Sequence, residues 1–106
     1  MQEPTFLVLA GLASGPKHGY ALIQEATELT EGRVTLRVGT LYAALDRLAK
    51  EGLVVRAGEE IVDGRLRRSY ELTGEGRETL DAEVERLRLL STRVAARLRH
   101  ARAAIA

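Results

Sequence analysis

The 106 residues suffice for one domain with a modest core and are too few for a two-domain enzyme, while 45% hydrophobic and 29% charged residues describe an ordinary globular chain rather than a disordered or membrane-embedded one. Sixteen basic against fifteen acidic residues give a net charge of +1, so partner class must be read from where the charges lie rather than from their sum. The absence of Cys excludes disulfides, thiolate nucleophiles, zinc fingers and iron–sulfur clusters and fits a reducing compartment, and the 4% aromatic content argues against an enzyme built around an aromatic cleft.

Pro4 to Ser14 carries Phe6, Leu7, Leu9, Ala10, Leu12 and Ala13, an apolar run dense enough for a mostly buried first helix. Gly15-Pro16 breaks it, because the residue before Pro is pushed out of helical geometry. A second helix is expected from Lys17 to about Thr30, with Leu22, Ile23, Ala26 and Leu29 at helical spacing and Gly32 as its end. Arg33 to Val38 alternates apolar and polar residues and reads as a very short strand or an extended loop. Gly39-Thr40 opens a third helix whose Leu41, Leu45 and Leu48 share one face and which Gly52 closes.

Leu53 to Val55 and Arg67 to Thr73 are β-compatible runs on either side of Asp63-Gly64, the signature of a hairpin with a charged tip. Three helices and a hairpin in this order predict a mainly α (α+β) winged helix-turn-helix over residues 1–73. Residues 74–106 contain no Pro and no Gly after Gly76, which predicts one long helix with Thr73 as its N-cap. In it Leu80, Val84, Leu87, Ser91, Val94, Leu98, Ala101 and Ile105 follow the alternating four-and-three spacing of a coiled-coil seam. One small domain cannot cover so long a stripe, so the helix is expected to dimerise through Leu80, Val84, Leu87, Val94 and Leu98. Its acids, Glu75 to Glu85, lie in the first part, and six arginines from Arg86 to Arg102 follow with no acid after Glu85, an order that complements the helix dipole and suits pairing with oppositely charged regions of a second subunit.

His18-Gly19-Tyr20, Gly39-Thr40-Leu41-Tyr42-Ala43-Ala44-Leu45, Glu51-Gly52-Leu53-Val54 and Arg68-Ser69-Tyr70-Glu71-Leu72-Thr73-Gly74-Glu75-Gly76 occur in the order found in the PadR family of bacterial transcriptional regulators, which the chain resembles over nearly its whole length. The resemblance implies a winged helix-turn-helix with a C-terminal dimerisation helix and a mostly repressive role. Ala43 departs from the Pro that many members carry there, and the single short C-terminal helix resembles the smaller branch of the family.

The third helix is then the candidate for the major groove, because an α-helix fits that groove and reads base edges with its exposed N-terminal residues. With Leu41, Leu45 and Leu48 turned to the core, Thr40, Ala43, Arg47 and Lys50 face out, Gly39 allows tight backbone approach, and Tyr42 on the flank either donates its hydroxyl to a phosphate or packs against the hairpin. Arg47 is either a contact or simply solvated, since Asp46 beside it repels phosphate. From Arg33 to Arg68 there are eight Lys or Arg, Arg37 among them, against five Asp or Glu. Arg65, Arg67 and Arg68 cluster at the hairpin, where a wing enters a minor groove or follows a phosphate track, although a charged tip also protects any exposed hairpin. Lys17 and Tyr20 open the second helix within reach of the backbone, Tyr20 with a core position as its alternative, and His18 has the alternative of a helix-start hydrogen bond.

Enzymatic readings fail on inventory: His18 and His100 are too far apart to suggest a metal pair, and no P-loop or dinucleotide fingerprint occurs. No metal or cofactor is expected. The reading is a cytoplasmic homodimeric repressor that binds double-stranded DNA at an inverted repeat, with a small-molecule effector as an open question. The rival is a winged-helix protein–protein adaptor whose basic residues are incidental. Salt-dependent DNA binding separates the two.

Overall fold

In the computed structural model, residues 1–105 are described; Ala106, the last residue of the expected C-terminal helix, lies outside them. Their order is α1 (Glu3–Gly11), β1 (Lys17–His18), α2 (Gly19–Leu29), α3 (Val38–Lys50), β2 (Val54–Val62), β3 (Arg65–Leu72) and α4 (Gly74–Ile105). Together they build a three-helix body, a small antiparallel sheet in the order β1-β3-β2 and one protruding helix, within an envelope of 63 × 28 × 21 Å.

The core is aliphatic, as the composition requires. Leu7, Val8, Leu9 and Leu12 from the first segment meet Leu22 and Ala26 of α2, Leu41, Ala44, Leu45 and Leu48 of α3, and Val54, Tyr70 and Leu80. Burying each such Leu or Val side chain contributes about 1.5–3 kcal/mol. Pro4 sits in the first turn of α1, where a missing N–H costs nothing. The helix ends at Gly11, three residues before the expected Ser14, with residues 12–14 in turns ahead of Gly15 at φ +135°.

Lys17 and His18 do not begin the second helix, as their sequence position suggested. They form a two-residue strand paired with Tyr70 and Ser69 of β3, and His18 caps α2 by accepting the Ala21 N–H at Nδ1 (3.2 Å). A strand this short carries no periodicity of its own and exists because the free edge of β3 passes beside it. The α2 helix stops where Glu31 adopts φ +52° and the Gly32 N–H donates back to the Thr27 carbonyl (2.8 Å). The alternating 33–38 segment is a loop and no strand: Leu36 is buried from it, whereas Val38 is exposed and starts α3.

Asp63 and Gly64, both at positive φ, form the two-residue turn whose twist suits a hairpin. The strands around it are longer than the apolar runs implied, because the ladder continues through charged residues to Val62↔Arg65. Cross-strand partners Glu59↔Arg68 and Glu60↔Arg67 place opposite charges face to face, with Arg68 Nε 3.6 Å from Glu59. A bulge at Ala57 interrupts the register between Arg56 and Gly58.

Thr73 is the N-cap of α4, accepting the Gly76 N–H at 3.0 Å, and its own hydroxyl donates to the Gly52 carbonyl (2.6 Å). The first turns of α4 therefore belong to the body, with Gly76, Leu80 and Glu83 buried. Leu80, at 7% exposure, fills the chain's own core, which removes it from the expected dimer seam. Arg86 grips Glu83 with two hydrogen bonds of 2.7 and 2.8 Å, and that pairing holds the Glu83 carboxyl below the usual carboxylate range. A Cβ at position 76 would overlap the backbone of Leu53. Gly76→Ala is therefore expected to cost about 1–3 kcal/mol, as overpacking against unyielding backbone does, and chemical denaturation of the two proteins measures the difference.

Candidate nucleic-acid interface

The exposed start of α3 and the wing approach each other around one cleft. It has a volume of about 280 Å³ and is bordered by His18, Gly19, Tyr42, Leu66, Arg67 and Arg68. Tyr42 projects from α3 over the start of α2, so closely that a Cβ at position 19 would stand 2.7 Å from its hydroxyl. Gly19 thus leaves room for the Tyr42 hydroxyl, which a larger residue there would displace. The Arg67 guanidinium lies over the Tyr20 ring, 5.5 Å from its centroid, a cation–π geometry joining wing to α2.

Val38, Gly39, Thr40 and Ala43 are exposed along the free side of α3, opposite the buried Leu41, Ala44, Leu45 and Leu48. Arg37 occupies the N-cap position of α3 without capping it through its side chain, and it too is exposed. Arg65 follows the wing turn directly. The structure thus brings Tyr20, Tyr42, Arg67 and Arg68 together, with Gly39, Thr40 and Ala43 on the adjoining helix surface.

It does not bring Lys17 or Arg47 there. The Lys17 ammonium donates to the Gly11 carbonyl (2.6 Å) and to Ser14 Oγ (2.7 Å), capping the end of α1. Arg47 turns to α1, where Nη2 donates to Thr5 Oγ1, and it borders a different cleft with Met1, Gln2, Glu51 and Thr79. The sequence places Lys17 at a helix start and Arg47 on an outward helix face, yet a long side chain reaches whichever acceptor is nearest.

Leu66 was not among the expected site residues. With its cross-strand partner Ile61 it forms an exposed apolar pair near the wing tip. Strand alternation around Arg65, Arg67 and Arg68 was the available signal, masked by the arginines between which Leu66 lies.

This combination of helix-turn-helix, arginine-bearing wing and exposed helix start defines a winged-helix regulator. Residues 8–82 match the transcriptional regulator PadR-like family, and the chain belongs to it. Proteins of that family are transcription regulators. The chain is 37% identical over 87 residues to the transcriptional regulator Rv3488 of Mycobacterium tuberculosis, covering 82% of this chain and 78% of that protein. It is 46% identical over 92 residues to an uncharacterized 37.1 kDa protein in transposon TN4556 of Streptomyces fradiae, covering 87% of this chain and 25% of that one. The chain spans a quarter of that relative's length and 44% of another's. Its fold is also that of Bacillus subtilis PadR, solved in complex with operator DNA, with a TM-score of 0.68, 21% identity and coverage of 79% of this chain and 48% of that one.

Because Lys17 serves α1, replacing it by Gln is expected to lower folding stability by about 1 kcal/mol, the scale of a lost hydrogen bond. Denaturant titration checks this, and a stability identical to wild type would mean that Lys17 holds nothing in α1.

Proposed function

We propose that this chain is a homodimeric, DNA-binding transcription regulator, a repressor acting in the cytoplasm on an inverted-repeat operator. The observation that carries the reading is the cleft in which Tyr42 of α3 meets Arg67 and Arg68 of the wing. In this reading Gly39, Thr40 and Ala43 approach base edges in the major groove. Arg37, Tyr42 and the wing arginines Arg65, Arg67 and Arg68 take phosphates and fix the register. The fold shared with a regulator solved on its operator supports the same docking.

Dimerisation is supported by the far half of α4. Val84, Leu87, Val94 and Leu98 line one side of it and are 37–64% exposed in the single chain. Apolar side chains repeated at coiled-coil spacing lose their contact with water only against a partner. A second subunit also supplies the second reading helix that an inverted repeat requires.

Two measurements test the reading. Replacing Arg65, Arg67 and Arg68 together by Gln is expected to weaken binding to every duplex and to flatten its salt dependence, because each phosphate contact contributes a slope of about −0.9. A duplex selected by the wild-type protein from fragmented genomic DNA serves as probe, and unchanged affinity and slope would remove the wing from the interface. Changing Leu87 and Val94 to Glu buries unpaired charge in the seam and is expected to give folded monomers that bind the full operator poorly. Analytical ultracentrifugation reads the outcome, and a double variant still sedimenting as a dimer would place the subunit contact elsewhere.

A further inference from the structure

Among the three wing arginines Arg67 stands apart. Arg65 and Arg68 are exposed, whereas Arg67 is half-buried, and its Nε is shielded from solvent with no hydrogen-bond partner among the described residues. No hydrogen bond or ion pair among the described residues ties down the Arg67 guanidinium, which leaves its donors uncommitted within the chain. The guanidinium nonetheless has a defined seat over the Tyr20 ring. Stacking occupies the face of a planar guanidinium and leaves its edge, which carries the N–H donors, free to point at an oxyanion.

The surroundings fit an anion. The cleft that Arg67 borders is edged by Arg68, the Tyr42 side chain and His18, and no carboxylate lines it. His18 Nδ1 accepts the Ala21 N–H, so a neutral His18 ring carries its proton on Nε2 and is a donor. Tyr20 itself is 53% exposed, so it is not the core residue that its apolar ring would permit.

We propose that Tyr20 is a positioning residue: its ring holds the Arg67 guanidinium at the wing–α3 cleft so that Arg67 takes one backbone phosphate of the duplex, and Tyr20 makes no DNA contact of its own. The inference rests on the DNA-binding reading above. It assigns the two residues different tasks, although both lie on the same surface.

The experiment is a double-mutant cycle on the full-length protein, with binding to the genomically selected duplex titrated at several salt concentrations. Tyr20→Phe keeps the ring and is expected to bind as wild type does. Tyr20→Leu removes the π face and is expected to bind about two- to fivefold more weakly, the worth of one exposed cation–π contact. Arg67→Gln is expected to reduce the magnitude of the salt slope by about 0.9, the loss of one phosphate contact. In the Arg67→Gln background, Tyr20→Leu is expected to change nothing further. Tyr20→Phe as damaging as Tyr20→Leu would show a direct hydroxyl contact and overturn the proposal, and so would additive losses or a silent Tyr20→Leu. Because Tyr20 is half-exposed the variants retain the core, and Tyr20→Phe serves as the folded control. A wild-type protein with no salt-dependent affinity for any duplex overturns the DNA-binding reading and this inference with it, an outcome distinct from binding that ignores Tyr20.

Discussion

The close approach of Gly76 to the backbone of Leu53 is the constraint on which the remaining architecture depends. The corner between α3 and β2 is closed by Gly52 at φ +77°, with the Leu53 N–H returned to the Leu48 carbonyl (2.9 Å). Onto that corner the Thr73 N–H donates to the Leu53 carbonyl (3.1 Å) and the Thr73 hydroxyl to that of Gly52. Thr73 is also the last residue before α4, so the bonds that close the sheet also aim the helix. A side chain larger than hydrogen at position 76 would push α4 off the corner, and Leu80 would leave the core with it. The direction of the long helix is set within these few residues.

A second consequence of packing is the division of labour among basic side chains. By charge alone Lys17, Arg47, Arg65, Arg67 and Arg68 are equivalent. In the fold, Lys17 satisfies the Gly11 carbonyl and the Ser14 hydroxyl at the end of α1 and Arg47 a hydroxyl on its first turn, while Arg67 and Arg68 border the cleft. The wing is not a simple basic arm either, since Glu59 and Glu60 stand opposite Arg68 and Arg67. Of these only Arg68 and Glu59 form an ion pair, and an exposed pair of this kind contributes little to stability, about 0–1 kcal/mol.

The far half of α4 follows a different rule. After Glu83 no residue of the helix is buried in the single chain, although Leu89 and Leu90 add to the apolar surface of Val84, Leu87, Val94 and Leu98. The helix persists there through backbone bonding and ion pairs such as Arg88 with Glu85 (2.7 Å). Its apolar side chains stay exposed in the single chain, which is the observation behind the proposed dimer seam.

Local chemistry fixed much of this protein before any tertiary contact formed. The leucine spacing of α3, the Asp63-Gly64 turn, the Thr73 cap and the uninterrupted α4 are each determined by residues within a few positions of one another, so they were legible in the chain itself, as was family resemblance through its four motifs. What tertiary structure decided was everything that depends on which distant segment lies alongside. β1 exists because β3 offers an edge, Leu80 is core because Thr73 and Gly76 turn α4 back onto the body, and Lys17 and Arg47 point where an acceptor happens to be. The pairing of Tyr20 with Arg67, 47 positions apart in sequence, belongs to the same class. Periodicity reports which face of an element is apolar; it carries no information on the path of a long polar side chain across a surface that only the folded chain creates.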